Sequence, residues 1–219
     1  MIFKWLNLVG IGIALFFVGI LFFLGREVSA VSGSTVANKE ESSLKTETPK
    51  ALLVSAEEKE KNILMTRILK ARDENKIKDA IQLEKDLLAK YPNDPMGLVM
   101  LAEDYSWDGS FVMAEAQAKE AVRITPNSTY ALRVLSEVYF RRSQLDADVT
   151  AKANFLNLAK IQIDKALEFG ADEPWVNARA AQIYYALNDK SKAKIFIDKA
   201  VQIDPKDSNL LEIKKQVSK

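Results

Sequence analysis

The chain of 219 residues contains no cysteine and no histidine. Their absence excludes disulfides, thiolate and imidazole metal sites, a cysteine nucleophile and a histidine general base. Carboxylates, lysines, tyrosines and hydroxyl side chains remain, but no catalytic motif such as GxSxG, SxxK, GxGxxG or a phosphate-binding loop organises them. The sequence therefore predicts a protein that is not an enzyme and carries neither a cofactor nor a metal ion.

Net charge is also nearly absent, because 31 Lys and Arg residues stand against 30 Asp and Glu residues. Binding to nucleic acid needs a strongly basic surface, so this balance argues against a nucleic-acid partner. After residue 57 about 160 residues remain, which is enough for one domain with a hydrophobic core.

An uncharged run covers residues 5–25 and is bounded by Lys4 and Arg26. As a helix it would measure about 31 Å, close to the thickness of the hydrocarbon core of a bilayer. We therefore expect residues 1–26 to be a transmembrane signal-anchor. The alternative is secretion after signal-peptide cleavage near Ala30, where small residues follow the run, although the run is longer than the usual apolar region of a signal peptide.

Residues 27–57 are rich in Ser, Thr, Lys and Glu and show little periodic apolar pattern. Such a segment buries too little apolar surface to offset its chain entropy, so a disordered linker is expected. Residues 58–219 form the predicted domain. A short N-terminus ahead of a long folded domain favours a single-pass protein whose domain faces the periplasm of a bacterium, outside the inner membrane.

The predicted domain contains an internal repeat. Pro92 and Pro126 lie 34 residues apart, and in segment 95–128 apolar residues of alternating size precede the second proline. Small residues let two helices approach closely, larger ones fill the space between hairpins, and proline ends the second helix. The residues at repeat positions 4, 7, 8, 11, 20, 24, 27 and 32 are Leu98, Leu101, Ala102, Tyr105, Ala114, Ala118, Ala121 and Pro126.

This pattern resembles that of the tetratricopeptide repeat (TPR) family. The resemblance implies an all-α fold, a solenoid of about four helical hairpins with a capping helix, behind one N-terminal transmembrane helix. The third repeat has about 11 extra residues around Ser143 to Asn154, which we expect to form an extended turn between its helices and extra turns on the second helix. The four repeats and the cap are expected at residues 61–94, 95–128, 129–173, 174–207 and 207–218.

In the TPR family the first helix of each hairpin lines a concave groove that holds a peptide or helix of a partner protein. Aromatic residues, Met and Arg are enriched at protein interfaces, and the resemblance makes Arg133, Arg141 and Arg179 candidates to pair with a carboxylate of the partner. The groove residues that the resemblance implies are Met96, Met100, Trp107, Tyr130, Arg133, Glu137, Phe140, Arg141, Arg179, Gln182 and Tyr185.

The expected function is therefore that of a membrane-tethered scaffold or assembly factor that binds a segment of a partner protein. Two alternatives remain open. The chain is a constitutive structural subunit of a larger membrane complex, or it holds an apoprotein as TPR proteins of cytochrome c maturation do. Homo-oligomerisation through the degenerate first repeat is a further hypothesis.

Overall fold

The computed structural model describes the backbone of residues 49–218 and the side chains of residues 56–218. This part of the chain is entirely helical. The nine helices described are α1 (Pro49–Asp73), α2 (Ile77–Lys90), α3 (Pro95–Trp107), α4 (Phe111–Ile124), α5 (Thr129–Leu145), α6 (Val149–Phe169), α7 (Pro174–Ala186), α8 (Lys190–Ile203) and α9 (Ser208–Val217).

The chain divides into two compact units, residues 1–75 and 76–219. The expected transmembrane segment, residues 5–25, lies outside the described residues. Among the helices of residues 49–218, none has the length and apolar character that a membrane span requires.

Helix α1 is the described part of the first unit. It begins at Pro49, so residues 49–57, which the sequence analysis assigned to the disordered linker, are helical. Proline suits the first position of a helix, and the Ala, Leu, Glu and Lys residues that follow have high helix propensity. The rest of the predicted linker lies outside the described residues.

In the second unit the prolines and caps set the helix boundaries. Helices α2, α4 and α8 each end two residues before a proline, which has no N–H to continue the helical ladder. Asp94 caps the N-terminus of α3, because its carboxylate accepts a hydrogen bond of 2.7 Å from Gly97 N. Ser128 caps α5 in the same way, through a 3.2 Å bond from Ala131 N to its hydroxyl oxygen.

The turns inside the hairpins share one conformational feature. Gly109 and Asn188 have positive φ angles of 84° and 64°, and both occupy position 15 of their repeats. In the first unit Asn75, at the same position, has a φ of 57°. Glycine and asparagine tolerate this left-handed conformation better than other residues do, so in these three repeats position 15 marks where the first helix stops.

The third repeat differs because its helices are longer while its turn is not. Helix α5 has 17 residues against 13 in α3 and α7, and α6 has 21 against 14 in α4 and α8. These differences account for all 11 extra residues. The expected extended turn is therefore wrong, since residues 146–148 connect the helices as briefly as residues 108–110 do in repeat two. The expected extra turns on the second helix are present.

The helices of the second unit pack in two layers. Helices α3, α5, α7 and α9 lie side by side, and α4, α6 and α8 each pack between two of them. Here α3, α5 and α7 are called the A helices, and α4, α6 and α8 the B helices. Alanines allow the close approach of the layers. The fully buried alanines of these helices include Ala102, Ala114, Ala121, Ala159, Ala166, Ala181, Ala193 and Ala200.

Helix α9 covers the end of the last hairpin and packs on α7 and α8. Leu210 is completely buried, and Ile213 packs against the core. Leu211, one residue after Leu210, is 40% exposed. Residues 210, 213 and 217 follow helical spacing on one face, whereas residue 211 lies about 100° away from residue 210.

Candidate partner-binding face

Side chains of the three A helices contact one another along one face of their layer. We call this set the A-helix face. It is held by acid–arginine pairs and by arginines stacked on aromatic rings. Its members are Glu103, Trp107, Tyr130, Arg133, Glu137, Phe140, Arg141 and Arg179.

Glu103 connects α3 to α5. Its carboxylate accepts a 2.9 Å hydrogen bond from the Tyr130 hydroxyl and another of 2.9 Å from Arg133 Nη2. The Arg133 guanidinium also lies over the Tyr130 ring, 5.0 Å from its centroid. Glu103 is not among the eleven candidates of the sequence analysis, although it occupies the same repeat position as Glu137, 34 residues later.

Glu137 connects α5 to α7 through an ion pair with Arg179. The Arg179 guanidinium lies 5.3 Å from the centre of the Phe140 ring. Burial lowers the pKa of Arg179 to about 9, and Arg133 lowers it further while Glu103 opposes the shift. Arg133 and Arg179 thus already have carboxylate partners within this chain, which corrects the expectation that both pair with a partner protein.

Arg141 is bound differently. Its guanidinium lies over the Trp107 ring, 3.7 Å from the centroid, and burial lowers its pKa to about 10. Within residues 49–218 it forms no ion pair, and its Nε, like that of Arg179, is buried without a hydrogen-bond acceptor. Trp107 itself remains 42% exposed at the C-terminal end of α3.

The other candidates of the sequence analysis lie outside this network of ion pairs and stacked rings. Met100 is only 3% exposed, because α3 packs against α2, α4 and α5, so its side chain does not reach the accessible part of the face. Met96 is exposed at the start of α3, and Gln182 is half-buried on α7. Tyr185 is half-buried, with Lys190 Nζ 5.7 Å from its ring centre.

Contacts between A and B helices use different side chains. The Tyr139 hydroxyl donates to Glu115 on α4 over 3.2 Å, and the Tyr184 hydroxyl donates to Asp164 on α6 over 2.8 Å. Burial, with these carboxylates, raises the pKa of both tyrosines. The two tyrosines join neighbouring repeats. The A-helix face is formed by other residues of the same helices. Residues 49–218 contain no cluster of acidic side chains that could hold a metal ion.

No protein-family model matches the sequence. The chain is 30% identical over 148 residues to cellulose synthase operon protein C of Pseudomonas fluorescens SBW25. The alignment covers 67% of the chain and 10% of that protein, so the chain spans about a tenth of this curated relative.

Solved structures share the fold. A thermophilic TPR protein of Thermus thermophilus superposes with a TM-score of 0.68 at 18% identity, over 72% of this chain and 80% of its own. MamA of Desulfovibrio magneticus RS-1 gives a TM-score of 0.53 at 14% identity, over 72% of this chain and 89% of its own. The described part of the chain therefore has the fold of a TPR-type helical solenoid.

Proposed function

We propose that the protein is a non-enzymatic scaffold whose A-helix face binds a segment of a partner protein. The observation that carries this proposal is the continuous row of aromatic and arginine side chains across three successive A helices. Tyrosine, tryptophan and arginine contribute most to binding energy at protein interfaces. Their arrangement across α3, α5 and α7 suits an extended segment or a helix that contacts all three.

The side chains of the A-helix face are already held in place, which supports the same proposal. Arg133 and Arg179 are fixed both by an ion pair and by an aromatic ring. Side chains that are already ordered lose little conformational entropy when a partner binds. The partner segment would therefore meet a preorganised surface rather than a set of mobile side chains.

Membrane tethering is part of the proposal. The uncharged run over residues 5–25 would hold the protein in a bacterial inner membrane, and the polar residues up to about residue 48 would let the helical domain reach its partner in the periplasm. The length of the run supports this assignment, since it matches the hydrocarbon core of a bilayer.

The test is crosslinking and affinity purification of the full-length protein from its native membranes. A variant with Tyr130, Phe140 and Tyr185 changed to Ala is compared with the unchanged protein. The matched control changes three exposed apolar residues of the B helices, Val112, Ile161 and Ile195, to Ala.

We expect one partner to be recovered with the unchanged protein and with the B-helix control. The A-helix variant should lose this partner while keeping its helical circular-dichroism spectrum. Equal recovery of the partner with both triple variants would reject the A-helix face as the binding site.

A further inference from the structure

The three arginines of the A-helix face are not equivalent, because only Arg141 has no counter-ion within residues 49–218. Arg133 pairs with Glu103 and Arg179 pairs with Glu137, whereas no carboxylate of residues 49–218 pairs with Arg141. The charges within each of the two pairs neutralise each other. The face is therefore left with the single positive charge of Arg141, which favours an anionic group on whatever binds there.

The Arg141 side chain is also poorly hydrated. Its Nε is buried and has no hydrogen-bond acceptor in the described part of the chain. An atom that water cannot reach is closed to a ligand oxygen as well, and the Nε of Arg179 is buried in the same way. The terminal Nη groups of Arg141 are not buried without a partner, so these are the donors that a ligand oxygen can reach.

The geometry further restricts the ligand. Trp107 covers one surface of the guanidinium at 3.7 Å from the ring centre, so the N–H groups are available mainly in the guanidinium plane. A planar carboxylate matches this fork through two parallel N–H···O bonds. The half-exposed Trp107 ring would then contact the aliphatic part of the same residue.

We propose that Arg141 and Trp107 form a carboxylate subsite of the A-helix face, which binds an Asp or Glu side chain of the partner segment. This proposal rests on the proposed function for the identity of the ligand. The subsite itself belongs to the free protein, so it can be tested without the partner.

The first experiment titrates the ¹⁵N-labelled full-length protein with sodium acetate and follows the arginine Nε–Hε resonances by NMR. The variant Arg141→Lys identifies the Arg141 signal. We expect this signal to shift and saturate, while the signals of Arg133 and Arg179 shift less because their guanidinium groups are already paired with Glu103 and Glu137. Sodium chloride at equal ionic strength is the control.

Three results would overturn the subsite. The Arg141 signal does not move; it moves linearly together with all other arginine signals; or it responds to inorganic phosphate and not to acetate. If the Arg141 signal shifts with protein concentration instead of acetate concentration, a second copy of the chain binds at Arg141. This result would also contradict the proposal.

The second experiment uses the partner recovered by crosslinking. Arg141→Gln should weaken its binding about tenfold, the usual effect of losing a charge-assisted hydrogen bond. Arg123→Gln, an exposed arginine of α4 that pairs with Glu120, should not. Changing the acidic residue of the partner segment to its amide should have no further effect on the Arg141→Gln variant.

The two proposals fail in different ways. In one case acetate shifts the Arg141 signal saturably, but no partner is recovered whose binding depends on the A-helix face. The subsite would then stand and the proposed function would be rejected. A partner that depends on Tyr130, Phe140 and Tyr185 but binds Arg141→Gln with unchanged affinity would keep the function and reject the subsite.

Discussion

The Glu137–Arg179 pair has little contact with solvent, since the side chains are 11% and 18% exposed. Removing one partner of such a pair leaves an uncompensated charge in a poorly hydrated place, whereas replacing both with uncharged residues does not. We expect Glu137→Gln to lower the free energy of unfolding by about 3 kcal/mol. Equilibrium urea denaturation of the full-length protein measures this loss.

The double variant Glu137→Gln with Arg179→Met is the control for that measurement. It should recover most of the lost stability, because methionine fills a similar volume beside Phe140 without a charge. Equal destabilisation by the single and double variants would show that packing, and not the charge pair, sets the stability at this position.

Tyr139 gives a prediction about alkaline pH. Its pKa is raised by burial and by Glu115, so between the unfolded and folded pKa values the folded state holds a proton that the unfolded state has released. The free energy of unfolding is then fully retained below about pH 10 and decreases as the pH rises through the folded pKa. Tyr139→Phe should unfold with a weaker dependence on pH above about 10.

The measurement is thermal unfolding between about pH 8 and 11 on both proteins, which brackets the ordinary pKa of tyrosine. At the lower pH the Phe variant should also lose about 1 kcal/mol from the missing hydrogen bond, since Glu115 keeps its contacts with Lys119 and Arg142. Identical slopes of stability against pH for the two proteins would contradict the assigned cause.

At the scale of the helices, position 15 decides where the first helix of repeats one, two and four stops. Gly109→Ala meets no atom within 4 Å, so its cost comes only from the φ of 84°. We expect Gly109→Ala and Asn188→Ala each to lower the free energy of unfolding by about 1 kcal/mol. Chemical denaturation of each variant checks these values.

Ser143 provides a matched control, because it occupies position 15 of the third repeat but lies inside α5. Ser143→Ala should cost less than the other two substitutions, since alanine is favoured in a helix. A similar loss in all three variants would mean that backbone conformation is not the reason for the regular spacing of the turns within this chain.

The sequence predicted the hairpins of repeats two and four well because short-range signals defined them. Proline after the second helix and alanines at the crossing points each act within a few residues. The third repeat was predicted less well. The 11 extra residues carry no turn signal except Asp146 to Asp148, and their division between α5 and α6 depends on packing of the two helices against each other.

The placement of the candidate residues on the A helices was predictable, but their pairing with one another was not. Repeat numbering places Arg133, Glu137 and Arg179 on the A helices, yet it does not say that both arginines contact an acid of the preceding A helix. That result depends on how neighbouring repeats rotate against each other, which leaves Arg141 with a tryptophan instead of a carboxylate. Met100 was misplaced because a repeat position does not show that α3 is covered on three sides.

At the scale of the second unit, stability depends on contacts between neighbouring hairpins, and the cap closes the last of them. Leu210 of α9 is completely buried, whereas Leu211, one residue later, is exposed. We expect Leu210→Ala to lower the free energy of unfolding by about 3 kcal/mol and Leu211→Ala by less than about 1 kcal/mol. Urea denaturation compares the two variants directly.

Hydrogen exchange adds a spatial test of the same prediction. Loss of the Leu210 contact should increase exchange first in α8 and α9 and leave α3 and α4 protected, because each hairpin contacts only its neighbours. Uniform loss of protection across residues 76–218 would show that this unit unfolds as a single cooperative body.

The central claim, that a partner segment lies on the A-helix face, is tested most directly by site-specific photo-crosslinking in native membranes. A photoreactive residue is placed at Gln182 on α7 or, as the control, at the exposed Ile195 on α8. We expect position 182 to crosslink one partner protein and position 195 to crosslink none of it. Crosslinking of the partner from position 195 but not from position 182 would contradict the account.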